Sequence, residues 1–284
     1  MATRREVLNE LCRAAEVCYD AVEARQIAEM VLMARGGLSR NDILVEPNIE
    51  VVIPDFDTIV EQLKSWTPVQ YIIGRAEFMD MELEVRGDVL IPRPETEELV
   101  MWIADESKAG SRVLDVGTGS GCIALGVARS VKVAKVSAID ISDAALEVAR
   151  KNGATYAPNV EFLKGDALEE FDMLFAEKFD VVVSNPPYIP SSDIALMRPN
   201  VVDYEPHMAL FVPDDDPLIF YRSIARTSRK LLKPDGRLYF EIYESLVAEM
   251  CAMLKAEGYV DVVVREDFRG KPRMICAKVS SIAR

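Results

Sequence analysis

Two short stretches carry residue types whose spacing could do chemistry. The first is Asp115-Val116-Gly117-Thr118-Gly119-Ser120-Gly121. Three glycines at alternate positions let the backbone turn sharply and let a ligand approach it closely. The spacing is not the GxGxxG of a dinucleotide loop, because Cys122 stands where the last glycine would fall. No GK[ST] follows, so the loop is not a phosphate cradle of the P-loop kind. Asp115 just ahead of the glycines would repel a pyrophosphate and suits a ligand carrying an ammonium group. Asp140 lies 19 residues past Gly121, at the end of the next apolar run, where an acid accepts hydrogen bonds from ribose hydroxyls. A nucleoside with a positive end and no pyrophosphate is S-adenosylmethionine.

The second stretch is Asn185-Pro186-Pro187-Tyr188, directly after the apolar run Phe179 to Ser184. Two consecutive prolines stiffen the chain and remove two N–H donors, leaving carbonyl acceptors in a fixed geometry. Asn185 adds a side-chain acceptor, and Tyr188 adds an aromatic face for a flat group. Such a set is built to hold a planar amine: a carboxamide, or the exocyclic amine of adenine or cytosine. The lone pair of that nitrogen is delocalised, so it reacts only when aimed. Alignment of this kind supplies up to roughly 7–11 kcal/mol of a barrier. A sulfonium methyl is already activated, so no metal is needed. No Ser/His or Cys/His pair is in evidence.

Positioning these loops requires a sheet with its strands' carboxyl ends on one edge. The chain from Arg112 onward alternates short apolar strands with amphipathic helices, the pattern of a mostly parallel sheet covered by helices. Strands are expected at Val113–Val116, Lys135–Asp140, Val160–Leu163, Phe179–Ser184 and Arg237–Ile242, with one or two more ending near Val279. Helices are expected at Cys122–Ser130, Asp143–Asn152 and Leu218–Leu232, and a long loop at Asn185–Pro217. Residues 3 to about 66 read as a small helical domain: Leu8, Leu11 and Ala15, then Ile27, Met30, Val31 and Ala34, recur at helical spacing. Gly36-Gly37 stops the second helix, Ser39 with Asp42 caps a third, and Phe56–Ser65 forms a last one. Between the two parts, Glu77–Val85 and Val89–Ile91 read as a hairpin turning at Gly87-Asp88, with a helix opening after Pro94.

Composition narrows the class further. The chain has 284 residues and a formal net charge of −14. Of its 33 basic and 47 acidic residues, 8 and 14 fall in the first 80, so neither half is basic. Stable nucleic-acid binding is therefore not expected. No apolar run reaches the ~20 residues of a membrane span, and the first residues lack a secretory leader's apolar core. The five scattered cysteines read as reduced core thiols of a cytoplasmic protein, and with one histidine no metal site is expected. His207 is expected to pack in its loop, Asp214–Asp216 to form a solvated turn, and Met79, Met81 and Met101 to fill core and interdomain gaps.

Together these residues resemble the amino methyltransferases. In particular, the chain resembles the HemK or PrmC family of protein-(glutamine-N5) methyltransferases over nearly its whole length. Further matching segments are Thr67-Pro68-Val69-Gln70-Tyr71-Ile72-Ile73-Gly74 with Glu77-Phe78, Leu90-Ile91-Pro92-Arg93-Pro94-Glu95-Thr96-Glu97, Val202-Asp203-Tyr204-Glu205-Pro206 and Asp267-Phe268-Arg269-Gly270-Lys271-Pro272-Arg273. The NPPY tetrapeptide is shared with adenine-N6 methyltransferases acting on nucleic acid; the Ile-Pro-Arg-Pro-Glu-Thr-Glu segment is the more discriminating match. The resemblance implies a Rossmann-like, seven-stranded α/β sheet that uses S-adenosyl-L-methionine and releases S-adenosyl-L-homocysteine. It implies a helical substrate-docking domain at 1–75, a hairpin linker at 76–94 and the methyltransferase domain at 95–284. The implied substrate is the glutamine of the Gly-Gly-Gln loop in class I peptide chain release factors, acted on by a monomer. Cofactor contacts are then expected from Gly117, Thr118, Gly119, Ser120, Gly121, Asp140, Ile141, Asp166, Ala167 and Asn185. Asn185, Pro186 and Tyr188 would act on the amide, with Pro187 and Arg93 helping to hold the substrate. Family members often place an aromatic after the acid at the third strand's end, near the adenine; here Ala167 and Leu168 follow Asp166. The rival readings are an adenine-N6 methyltransferase and a non-catalytic cofactor-binding module.

Overall fold

The helical part begins with a cap. Thr3 Oγ1 accepts from the Glu6 N–H, and the Glu6 carboxylate accepts the Thr3 N–H at 2.8 Å, so the helix Arg4–Ala15 opens on a reciprocal capping box. Ser39 and Asp42 repeat the device at Arg40–Val45. Between them Ala21–Gly36 starts on Asp20 and stops at Gly37, whose φ of 64° only glycine adopts freely. Phe56–Lys64 and Val69–Ile73 complete the set. Their shared core is Leu11, Ala15, Ala28, Val31, Leu32 and Leu63, all fully buried. The structure is a computed structural model that describes residues 2–131 and 135–280; residue 1 and residues 281–284, at the outer ends of the expected domains, lie outside it.

Three details depart from the sequence reading. Ala2–Thr3 pairs antiparallel with Glu50–Val51, so this part is not purely helical. Val69–Ile73 is too short to show periodicity in sequence. Met30, expected on the apolar stripe, is exposed. By internal packing the chain forms two compact units, Met1–Arg75 with Met197–Tyr204, and Ala76–Leu196 with Glu205–Arg284. The returning segment is held in the first unit by Arg198 on Glu23 (3.2 Å) and by the Tyr204 hydroxyl on the Ser65 carbonyl.

The second unit opens with the hairpin Arg75–Phe78 and Met81–Glu84. Its turn is Met79-Asp80, both at positive φ (46° and 59°), not Gly87-Asp88 as the sequence indicated. Two positive-φ residues suit a tight two-residue hairpin, and the Met79 N–H is held by Glu97 Oε1 at 2.9 Å, a partner that local sequence does not show. Val89 and Ile91 are buried in irregular chain rather than in a strand.

The sheet contains β1 (Arg112–Val116), β2 (Lys135–Asp140), β3 (Glu161–Lys164), β4 (Phe179–Ser184), β5 (Leu232–Glu241), β6 (Tyr259–Glu266) and β7 (Pro272–Val279). Their order is β6-β7-β5-β4-β1-β2-β3, parallel except that β7 runs antiparallel to both neighbours. Seven strands, mostly parallel, is the expected fold class. Helices cover both faces, so β1 and β4 are apolar on both: Leu114, Val116 and Val182 face one core, and Val113, Val181 and Val183 the other. Lys233–Gly236, between the expected helix and the expected strand at Arg237, lies within β5 as a register shift between Leu232 and Arg237.

The segment after Ser184 is not a bare loop. Ile189–Pro190 pairs in parallel with Phe211–Val212, and short helical turns fill the span between. Asp214 accepts from the Ser192 N–H (2.8 Å) and Asp216 pairs with Arg222, so that acidic run braces the segment. His207 packs edge-on against Phe211 (5.1 Å). Cys276 is buried, and Cys12, Cys122 and Cys251 are partly buried against the cores; Met81 is buried, whereas Met101, expected in a core or interdomain gap, is exposed. No helix among the described residues is long and apolar enough to cross a membrane.

Candidate active site

The glycine loop leaves the end of β1 and enters the helix Cys122–Ser130. Gly117, Gly119 and Gly121 all have positive φ, at 76°, 54° and 86°. That conformation explains the glycines at 117 and 119, where a Cβ would meet nothing within 4 Å. At 121 a Cβ would only reach ordinary contact with Ala149 and Leu125 at 3.4 Å, so there too the positive φ accounts for the glycine. The Gly117 and Thr118 N–H groups bond to the Ile139 carbonyl (2.9 and 3.0 Å), tying the loop to β2.

Asp140, at the end of β2, accepts from the Gly119 N–H through Oδ2 (2.8 Å) and from the Ser142 N–H through Oδ1 (2.9 Å). Burial pushes its carboxyl above the usual carboxylate range, against the pull of these bonds. Asp115 behaves differently from expectation. It is fully buried beneath the loop, off the cavity wall, with Oδ2 accepting from Thr118 Oγ1 (2.6 Å) and the Ala124 N–H (3.2 Å). It braces the loop from below through Oδ2, while its buried Oδ1 has no hydrogen-bond partner among the described residues.

Burial pushes the Asp115 carboxyl up to about 7. A folded-state value above the unfolded one means the folded protein holds this proton more tightly. The stability from this group is present below about pH 4 and is lost as pH rises through about 7. Asp115→Asn removes the titration. Urea unfolding should show wild type losing about 2 kcal/mol relative to the variant between about pH 5 and about pH 8. Parallel pH profiles would contradict this.

Asn152, which the sequence reading passed over, staples the loop from the side. Its amide donates to the Ser120 carbonyl (2.9 Å) and the Glu84 carbonyl (3.1 Å), and its oxygen accepts from the Glu84 N–H (2.7 Å). It is buried. Asn152→Ala strands the buried Ser120 carbonyl and two partly buried Glu84 backbone groups, at a cost of about 2–4 kcal/mol. A thermal melt should fall by roughly 5–10 °C; an unchanged melt would remove the staple from the account.

The NPPY segment leaves the end of β4, where Ser184 Oγ donates to the Val116 carbonyl at 2.6 Å. Downstream, the Tyr188 and Ile189 N–H groups bond to the Leu210 carbonyl (3.2 and 2.9 Å). Tyr188 does not lie open as a platform. Its hydroxyl donates to Glu241 Oε1 (3.1 Å) and its ring stacks on Tyr243 at 5.8 Å. Arg93 pairs with Glu205, whose other oxygen accepts the Ile91 N–H at 3.1 Å. Glu205 is buried, so Arg93 is tied to an interior acid and not to a surface one.

One cavity of about 340 Å³ brings most of these residues together. Its wall includes Gly117, Thr118, Gly119, Ser120, Asp140, Ile141, Asp166, Ala167, Asn185, Pro186, Pro187 and Arg93, but neither Gly121 nor Tyr188. Phe220, from the helix Ile219–Leu231, also lines it, and Ser223 on that helix donates to the Ala167 carbonyl (2.7 Å). Phe220 thus brings an aromatic ring to the wall from a different element than the one that follows Asp166. No sequence signal marked Phe220, because it lies on an ordinary amphipathic helix.

Residues 107–270 match a family described as the methyltransferase domain. A solved methyltransferase from Pyrococcus furiosus has the same fold, with TM-score 0.53 and 20% identity over 71% of this chain and 90% of that one. The protein is a methyltransferase. Its similarity reaches further, to a release factor glutamine methyltransferase of Bacteroides thetaiotaomicron, 45% identical over 262 residues, 91% of this chain and 94% of its relative. Another, from Flavobacterium psychrophilum, is 38% identical over 265 residues, 90% and 92% of the two chains. The chain belongs to the release factor glutamine methyltransferase family.

Proposed function

We propose that this protein transfers a methyl group from S-adenosyl-L-methionine to the side-chain amide nitrogen, N5, of the glutamine in the Gly-Gly-Gln loop of class I peptide chain release factors. The observation that carries the reading is a single cavity whose wall includes both the glycine loop with Asp140 and Asn185 with Pro186. A donor and an acceptor held there share one space.

The residues present fit the methyl donor. Asp140 keeps its carboxylate at the strand end where ribose hydroxyls are recognised, and the left-handed glycines bring backbone close to the ligand. Ile141, Ala167, Leu168 and Phe220 form an apolar stretch of wall suited to a flat purine. When bound, S-adenosylmethionine supplies an electrophilic methyl on a sulfonium, leaving S-adenosylhomocysteine after transfer.

On the acceptor side, Asn185 Oδ1 and the Pro186 carbonyl accept the two N–H bonds of the glutamine amide and orient its lone pair. Pro187 fixes the backbone between them and Tyr188. Tyr188 steadies the segment from behind through Glu241 and Tyr243. Arg93, fixed by Glu205, presents its free edge to the incoming peptide. The helical unit is assigned to docking the protein substrate, and the setting is the cytoplasm, where translation factors work. The reading is tested with labelled S-adenosylmethionine and unmethylated release factor. Label should enter the wild-type factor and not one whose Gly-Gly-Gln glutamine is replaced by alanine. Equal labelling of both would overturn it.

A further inference from the structure

Asn185, Pro186 and Pro187 are the residues that would touch the acceptor, and the two prolines have no N–H with which to tie the segment down. Their geometry is set from the two ends of the segment. The upstream end is fixed by β4 and by Ser184 on the Val116 carbonyl. The downstream end is Tyr188, and its side chain leads to Glu241, the last residue of β5.

Glu241 is buried, with a relative exposure of 2%. Oε1 accepts from the Tyr188 hydroxyl (3.1 Å), Oε2 from Thr96 Oγ1 (2.6 Å), and its carbonyl from the Tyr221 hydroxyl (3.0 Å). Burial pushes its carboxyl above the usual carboxylate range, and the bonds from Thr96 and Tyr188 and the charge of Arg273 oppose this only in part. Thr96 belongs to the first turn of the helix Pro94–Glu106 and lines the cavity, three residues past the Arg93 that Glu205 holds. A single carboxylate therefore joins the acceptor segment to the Ile-Pro-Arg-Pro-Glu-Thr-Glu segment across the central sheet's edge. A buried carboxylate is a costly group, and core packing does not need one. Satisfied on both oxygens, it fixes the relative placement of what it bridges.

We infer that Glu241 is a positioning residue for methyl transfer, holding the Asn185–Tyr188 segment and the Thr96 wall in register so that the amide acceptors face the donor. It acts through Tyr188 and Thr96 and does not touch either reactant. This rests on the proposed glutamine methylation. A displacement of about 1 Å at reacting groups costs about 100-fold in rate, so the loss belongs in kcat and not in donor affinity.

The test is steady-state transfer to unmethylated release factor, with the Kd of S-adenosylmethionine measured on the same preparations. Glu241→Ala should lower kcat about 100-fold and leave that Kd unchanged. Glu241→Gln, which keeps an acceptor oxygen, should recover most of the rate. Tyr188→Phe keeps the ring but loses the bond. Combined with Glu241→Ala, it should add no further loss, because both remove the same link. Wild-type kcat in a folded Glu241→Ala protein, or losses that add in the double variant, would overturn the inference alone. Should Glu241→Ala not fold, Tyr188→Phe and Thr96→Val carry the test, and wild-type kcat in both overturns it. Absence of transfer by wild type in the same assay overturns the functional reading, and this inference with it.

Discussion

Asn185→Ala should reduce methyl transfer about 1000-fold, a loss of about 4 kcal/mol in transition-state stabilisation. The side chain sits on the cavity wall at the end of β4, beside Pro186. It provides the one acceptor in the segment that a methyl-sized side chain cannot replace; the Pro186 carbonyl remains. With one acceptor left, the amide can rotate, and the delocalised lone pair no longer points along a single line. Donor binding depends chiefly on the glycine loop and Asp140, so calorimetry should give a near-normal Kd for S-adenosylmethionine. Single-turnover rates measure the chemical step directly. Unchanged turnover in a folded variant would remove Asn185 from the catalytic role.

Asp140→Ala should act in the opposite way, raising the Kd of S-adenosylmethionine about 100-fold while kcat at saturating donor changes little. The variant loses a charge-assisted acceptor for ribose hydroxyls, worth roughly 1.5–3 kcal/mol, and 2.7 kcal/mol corresponds to about 100-fold in affinity. It also frees the Gly119 and Ser142 N–H groups that the carboxylate now holds at 2.8 and 2.9 Å. Asp140→Asn keeps one acceptor and should fall between the two. Titration calorimetry distinguishes the cases, and a wild-type Kd in Asp140→Ala would move the ribose contact elsewhere. The two variants thus separate the walls: one loses rate and keeps binding, the other loses binding and keeps rate.

Much of this arrangement is legible in the sequence because it is local. The strand–helix alternation gives Cys122–Ser130, Lys135–Asp140 and Phe179–Ser184 with the bounds seen in the structure. The glycines and prolines constrain backbone directly, so their loops fall at strand ends as expected. What sequence does not show is what holds them. Glu241 reaches Thr96 across 145 positions, and Asn152 reaches Glu84 across 68. Glu205 meets Ile91 across 114. Each is an ordinary polar residue in its own stretch of chain, given its role only by tertiary placement. The hairpin turn was misplaced for the same reason: Glu97, not the Met79-Asp80 pair itself, secures it. Asp115 and Tyr188 were assigned to the ligand by residue type, but folding turned both away from the cavity wall, where they brace the loops that line it.

The donor and acceptor residues of one cavity are read here as serving a glutamine amide. Peptide mass spectrometry on a purified, unmethylated class I release factor, incubated with this protein and S-adenosylmethionine, tests it most directly. The account predicts a gain of one methyl group confined to the Gly-Gly-Gln glutamine, absent with Asn185→Ala. A release factor left unmethylated while the same preparation binds S-adenosylmethionine, or a methyl group on another residue, would contradict it.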